Sequence, residues 1–149
     1  MLEVIRRPET AGLWPCARRE LAGMLEWLLA RLGLEQFDVE LCLVGDTAMT
    51  ALNRDYMHCP GPTNVLSFSG QSGLIDPSQS EKNLGSIVLS LPTAIREANL
   101  YGQDITLYCL RLICHAMLHL SKFEHGEAMY KLTEEVVADF SSQYFKESP

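Results

Sequence analysis

Hydrophobic and polar residues alternate over "LEVIRR", residues 2–7. That period of two predicts a first strand, because successive side chains of an extended chain point to opposite faces. In "WPCARRELAGMLEWLLARLGL" the spacing changes, and Leu21, Met24, Leu25, Leu28, Leu29 and Leu32 fall at helical intervals that predict a helix ending near Gly33. "FDVELCLVG" returns to strand spacing, with Val39, Leu41 and Leu43 on one face. "TAMTALNRDYM" predicts a second helix, with Asp46 or Thr47 as its expected cap. "CPGPT" breaks it, and "NVLSFSG" predicts a third strand. The Gly/Ser/Pro-rich stretch from Gly70 to Asn83 predicts a mobile loop before the fourth strand, "LGSIVLS". Pro92 is expected to begin a short helix through about Tyr101, since proline is tolerated in a first turn. Asp104 is the expected cap of "ITLYCLRLICHAMLHL", and "EAMYKLTEEVVADFSSQYF" closes the chain as an amphipathic helix.

This order, strand, helix, strand, helix, two strands and three helices, predicts an α+β fold: one domain over residues 1–149, with a small mixed four-stranded sheet packed against helices. The helix that begins near Asp104 is apolar nearly all round and is expected to run through the centre. Composition, 47% hydrophobic and 21% charged, is that of an ordinary soluble domain. No apolar run approaches the ~20 residues of a membrane span, and "MLEVIRRPET" lacks the pattern of a secretory signal. A cytoplasmic protein with no membrane partner is expected. Five cysteines, odd in number and never spaced C-x-x-C, signal neither a disulfide framework nor a thiolate zinc knuckle. A formal charge of −7, from 19 acidic and 12 basic residues, argues against broad phosphate-driven nucleic-acid binding but leaves room for a local basic cleft.

Three of the four histidines in the chain, His115, His119 and His125, fall within "CHAMLHLSKFEH". Residues four apart share a helix face, so His115 and His119 can present two imidazoles to one point. His125 can approach the same point if the chain turns back after about Ser121. Three imidazoles with an open fourth position are a usual form of catalytic zinc site. A lone histidine on an apolar helix is more often a hydrogen-bonded core or surface residue, but three grouped imidazoles would be costly to bury without partners. The spacing departs from the zinc-peptidase motif H-E-x-x-H, because Ala116 stands where that motif places its general base. Glu124 and the nearby Glu127 could orient a histidine or accept a proton; a surface role suits them equally.

Taken together, these residues resemble the YbeY family of bacterial metal-dependent endoribonucleases, whose signature is H-G-x-L-H-L-x-G-x-[DE]-H. The chain reads H-A-M-L-H-L-S-K-F-E-H over residues 115–125. Upstream, "LNRDYMHCPGPTNVLSF" is similar to the family's L-N-x-x-Y-R…P-T-[DN]-V-L-S-F block, and "LGSIVLSLPTA" to its L-G-D-I-x-I-S strand. Met129 falls where that family tends to place a methionine. The resemblance implies one α+β domain holding zinc, or another divalent metal, through His115, His119 and His125, with Thr63, Asn64 and Ser67 lining the cleft. It also implies cleavage of single-stranded RNA in ribosomal RNA maturation, at the 3′ end of the small-subunit RNA, and in ribosome quality control, with the ribosome or a small-subunit ribosomal protein as partner.

Four positions depart from the family pattern. Met57 replaces the arginine after the tyrosine, Ser86 the aspartate of L-G-D, and Ala116 and Lys122 the two glycines of the histidine motif. Arg54, three residues before Met57, is a candidate replacement cation that would contact substrate; the plain alternative is a surface residue. The candidate catalytic set is therefore Arg54, Ser67 and Glu124, with Thr63, Asn64 and Arg54 for substrate. Metal-assisted phosphodiester hydrolysis is the leading expectation. A metal-stabilised ribosome-associated factor with weakened catalysis is the first rival, and a metallopeptidase-like hydrolase the second.

Overall fold

The structure is a computed structural model that describes residues 2–13, 18–70, 82–123 and 126–146. Its strands are β1 (Leu2–Arg6), β2 (Asp38–Val44), β3 (Val65–Ser69) and β4 (Asn83–Ser90). The helices are α1 (Arg18–Arg31), α2 (Asp46–Met57), α3 (Leu91–Leu100), α4 (Ile105–Leu120) and α5 (Glu127–Lys146), and a single 3-10 turn spans Pro8–Thr10. Each element read from the hydrophobic pattern is present in the expected order. The expected helix start at Trp14 and most of the expected loop after Gly70 lie outside the described residues.

The sheet is mixed, in the order β1-β2-β4-β3. β1 and β4 flank β2 in parallel, and β3 runs antiparallel on the free edge of β4. Period-two patterning divides the side chains between two layers. Val4, Val39, Leu41, Leu43, Ile87 and Leu89 join the main core together with α1, α3, α4 and α5. Val44 and Val88, with half-buried Cys42, Leu66 and Phe68, face the other way and pack against Met49, Ala48 and Leu52 of α2. The sheet thus lies between α2 and the remaining helices. α4 runs through the larger layer as its composition predicts, burying ten of its 16 residues. Asp104 caps it, accepting from the Leu107 amide at 3.1 Å. Among the described residues, no helix is long and apolar enough to cross a membrane.

The expected cap of α2 is corrected. Gly45 occupies the cap position, and Asp46 is the first helical residue. Its carboxylate is committed to distant partners: Ser90 Oγ donates to Oδ1 at 2.8 Å, Thr93 Oγ1 to the same oxygen at 2.7 Å, and Arg96 pairs with Oδ2 at 2.8 Å. Three donors from the end of β4 and from α3 outbid the local amide, tying the two helix layers together at one end of the sheet. Desolvation pushes the Asp46 carboxyl upward, but the hydrogen bonds from Thr93, Ser90 and Arg96 and the Arg96 charge outweigh it, so its pKa is lowered.

A bulge interrupts the register of β2 with β4. Val39 pairs with Gly85 whereas Asp38 pairs with Asn83, so Leu84 is the extra residue. Gly85 has φ +138, and a Cβ there would collide with the Phe68 carbonyl oxygen. Backbone freedom and close approach both demand glycine at this position.

Gly85→Ala should therefore destabilise the fold by about 2 kcal/mol or more, the range of overpacked and backbone-strained sites, read as a lower midpoint in urea. For Asp46 the sign follows from the lowered folded pKa. Its contribution is complete above the unfolded value near ~3.9 and is lost as pH falls through the folded one. The stability advantage of wild type over Asp46→Asn should hold at neutral pH and shrink below about pH 4 in denaturation curves.

Candidate functional site

α4 carries His115 and His119 on one face, one turn apart, in its last two turns. Their surroundings differ: His115 is half-buried and His119 exposed, while Cys114, Ala116, Met117 and Leu118 between and beside them are buried. The helix body is thus anchored and two imidazoles emerge at its end. Burial pushes the Cys114 thiol up to about 11, against smaller opposite effects from the Thr133 hydroxyl and Arg31. It behaves as a small apolar residue.

α4 ends in a tight reversal. The Phe123 amide donates to the Leu118 carbonyl at 3.0 Å and the Lys122 amide to the His119 carbonyl at 3.1 Å. Lys122 stands between them with φ +63. These paired bonds form the Schellman closure of a helix end. α1 and α3 close with the same bonding pattern, using Gly33 and Gly102, at φ +71 and +65, in the left-handed position. The reversal after the histidines places a lysine side chain there, and the end of α2 likewise holds His58 at φ +55. Beyond it α5 runs back antiparallel to α4. Arg111 forms a forked pair with Glu134 at 2.9 and 3.1 Å, and the Tyr130 ring lies 6.0 Å from that of His115. Met129, at the family's methionine position, is fully buried in the core.

His125 and Glu124 lie outside the described residues. Among the described residues no three His, Cys, Asp or Glu side chains are grouped to hold a metal. The donors present suit one nonetheless: two imidazoles one turn apart on an anchored helix form half of a nitrogen-rich site of the kind zinc and related transition metals prefer.

The other sequence-predicted residues are more dispersed. Ser67, half-buried on β3, is paired with Ile87 and points to the sheet face that carries Val65 into the main core, the face covered by α4. Thr63 is half-buried just before that strand. Asn64 is bound up within the protein. Its Nδ2 donates to Glu97 at 3.0 Å, its Oδ1 accepts from the Val65 amide at 2.7 Å, and its carbonyl accepts from the Ser90 amide at 2.8 Å. The same Glu97 oxygen accepts from the Tyr108 hydroxyl at 3.1 Å. Burial, then the Glu97 charge and hydrogen bond, push the Tyr108 phenol up to about 12, so it stays a neutral donor. Arg54 belongs to α2, across the sheet from the main core. It is exposed, sits 3.1 Å from Asp55, and lines an open cavity of about 580 Å³ with Thr50, His58, Cys59, Pro60 and Gly61. The structure therefore brings His115 and His119 together, sets Ser67 on their side of the sheet, and leaves Arg54 in the opposite layer.

Sequence reasoning passed over Tyr130 and Glu97. Tyr130 had a signal: it is an aromatic one residue off the buried stripe of α5. Glu97 had none, since its partners are remote in the chain.

Fold and site define a small α+β protein that displays an imidazole pair where its central helix meets its last. The family model described as Endoribonuclease YbeY matches residues 16–141. The Endoribonuclease YbeY of Nitratidesulfovibrio vulgaris is 36% identical over 137 residues, covering 80% of this chain and 82% of its own length. That of Lawsonia intracellularis is 37% identical over 126 residues, covering 85% and 87%. In solved structures, the Thermotoga maritima protein TM1509 superposes with a TM-score of 0.68 over 99% of this chain and 94% of its own, at 18% identity, a likeness of fold. The chain belongs to the YbeY family, the one its histidine motif resembles.

Because a left-handed lysine costs about 1 kcal/mol relative to glycine, Lys122→Gly should raise the melting temperature by a few degrees. An unchanged or lower melting temperature would show that the lysine side chain compensates for its backbone.

Proposed function

We propose that this protein is a zinc-dependent endoribonuclease specific for single-stranded RNA. In this reading it acts in ribosomal RNA maturation, at the small-subunit 3′ end, and in ribosome quality control. The observation that carries it is the His115/His119 pair on one face of an anchored helix, in a chain whose relatives are named endoribonucleases. His115, His119 and His125 would hold one metal ion. When bound, that metal supplies Lewis acidity toward a phosphoryl oxygen and lowers the pKa of water toward ~7.

The protein's own part is positioning. Burial of α4 fixes the direction in which both imidazoles point, and the reversal at Lys122 brings the chain back within a few residues. Ser67 offers a hydroxyl from the edge strand on the same side of the sheet. Asn64 holds the start of that strand to Glu97, and through it to Tyr108 of α4. Its part is thus to place Thr63 and Ser67, with its own carboxamide already engaged. Arg54 would meet substrate only as it wraps the far end of α2. Glu124 is the acidic residue of the motif available for proton transfer. A ribosomal substrate and a cytoplasmic location go with this reading.

One observation favours a second reading, a metal-stabilised factor that docks on the ribosome or a small-subunit ribosomal protein with little catalysis. Met57, in place of the family's arginine, is 55% exposed at the end of α2, where it offers phosphate no charge. A peptidase reading loses ground, because the position of its general base is the buried Ala116.

Purified protein should carry close to one equivalent of transition metal by elemental analysis. Stripping or acidifying should release it and lower thermal stability, because imidazole binds metal only when neutral. His115→Ala should lose both the metal and single-strand cleavage, the latter by more than the roughly 100-fold typical of outer-shell partners. Cleavage that survives that substitution would overturn the metallonuclease reading. Cleavage appearing only in Met57→Arg would favour the docking factor.

A further inference from the structure

Tyr130 sits in the first turns of α5, beside the buried Met129 and ahead of the buried Thr133, yet 65% of its own surface is exposed. Scattered exposed aromatics are ordinary; the placement of this one is not explained by packing. Its ring stands 6.0 Å from the His115 ring with a 38° tilt, so it continues the imidazole surface outward into solvent. Phe123, 36% exposed, lies at the same closed end of the α4–α5 hairpin. A largely uncovered aromatic ring, that of Tyr130, therefore accompanies His115.

We propose that Tyr130 is a substrate-contacting residue, whose outer face stacks an unpaired nucleobase next to the histidine site. The proposal rests on the endoribonuclease reading above. A chain of net charge −7 has few cations to spend on phosphates, and base–aromatic stacking supplies affinity without them. Stacking also selects for single strands, because a base inside a duplex has both faces covered by its neighbours.

The test is steady-state cleavage of a single-stranded oligoribonucleotide by metal-loaded wild type, Tyr130→Ala and Tyr130→Trp. Thermal melts and metal content accompany the kinetics, to show that each variant is folded and loaded. Removing the ring should raise KM about 5- to 150-fold, with kcat within about twofold. Tyr130→Trp should restore KM, since the ring rather than the hydroxyl acts. In a series of oligomers each lacking one base, a single position should abolish the difference between wild type and Tyr130→Ala. An unchanged KM in Tyr130→Ala overturns the proposal. So does a fall in kcat and metal content at constant KM, which would make the ring a prop for His115. Wild type that neither cleaves the oligomer nor binds a 2-aminopurine-labelled version of it removes the endoribonuclease reading and this proposal together. Wild type that cleaves it with the same KM as Tyr130→Ala removes this proposal alone.

Discussion

α4 must be buried on almost every side and must still deliver two polar rings to solvent at its end. Ten of its residues are enclosed, and at ~25 cal/mol per Å² of apolar surface that enclosure is a major part of what holds the domain together. The remaining architecture answers this requirement. The sheet supplies one wall, α3 another, and α5 folds back along a third. The final two turns are buried on most sides, and the one remaining face carries half-buried His115 and exposed His119. A chemical group on such a support loses little conformational freedom when it binds, because the core has already fixed its backbone.

Polar side chains join elements that the apolar core leaves unlinked. Asp46 gathers Ser90, Thr93 and Arg96 at one end of the sheet, and Glu97 gathers Asn64 and Tyr108 near the other layer of contacts. Each carboxylate serves several donors, so neither is left with an unmet buried charge. Asp46 sits where β2 passes into α2, and Glu97, within α3, reaches the residue just before β3.

The strands and helices were legible because hydrophobic spacing is local information. The Asp104 cap was legible for the same reason, its partner being three residues away. Asp46 looked like a cap by the same logic and is not one, because its partners lie more than forty residues on, where no local rule reaches. Asn64 likewise matched a family block as a cleft residue, while its bonds to Glu97 depend on how α3 docks. The left-handed backbone at Lys122 was foreseeable from the family's glycine, and the structure has it. His125 lies outside the described residues, so its part in the proposed site rests on the motif. The contact between Tyr130 and His115 required the antiparallel hairpin to be built before it could be seen.

The hairpin of α4 and α5 also bears on the order in which the molecule assembles. Its contacts, such as Arg111 with Glu134 and His115 with Tyr130, join residues close in sequence, whereas β2 must find β4 across α2 and the third strand. Short loops close at lower entropic cost than long ones, and local contacts form faster. The α4–α5 hairpin, with its histidine pair, is thereby favoured to take shape before the sheet is complete.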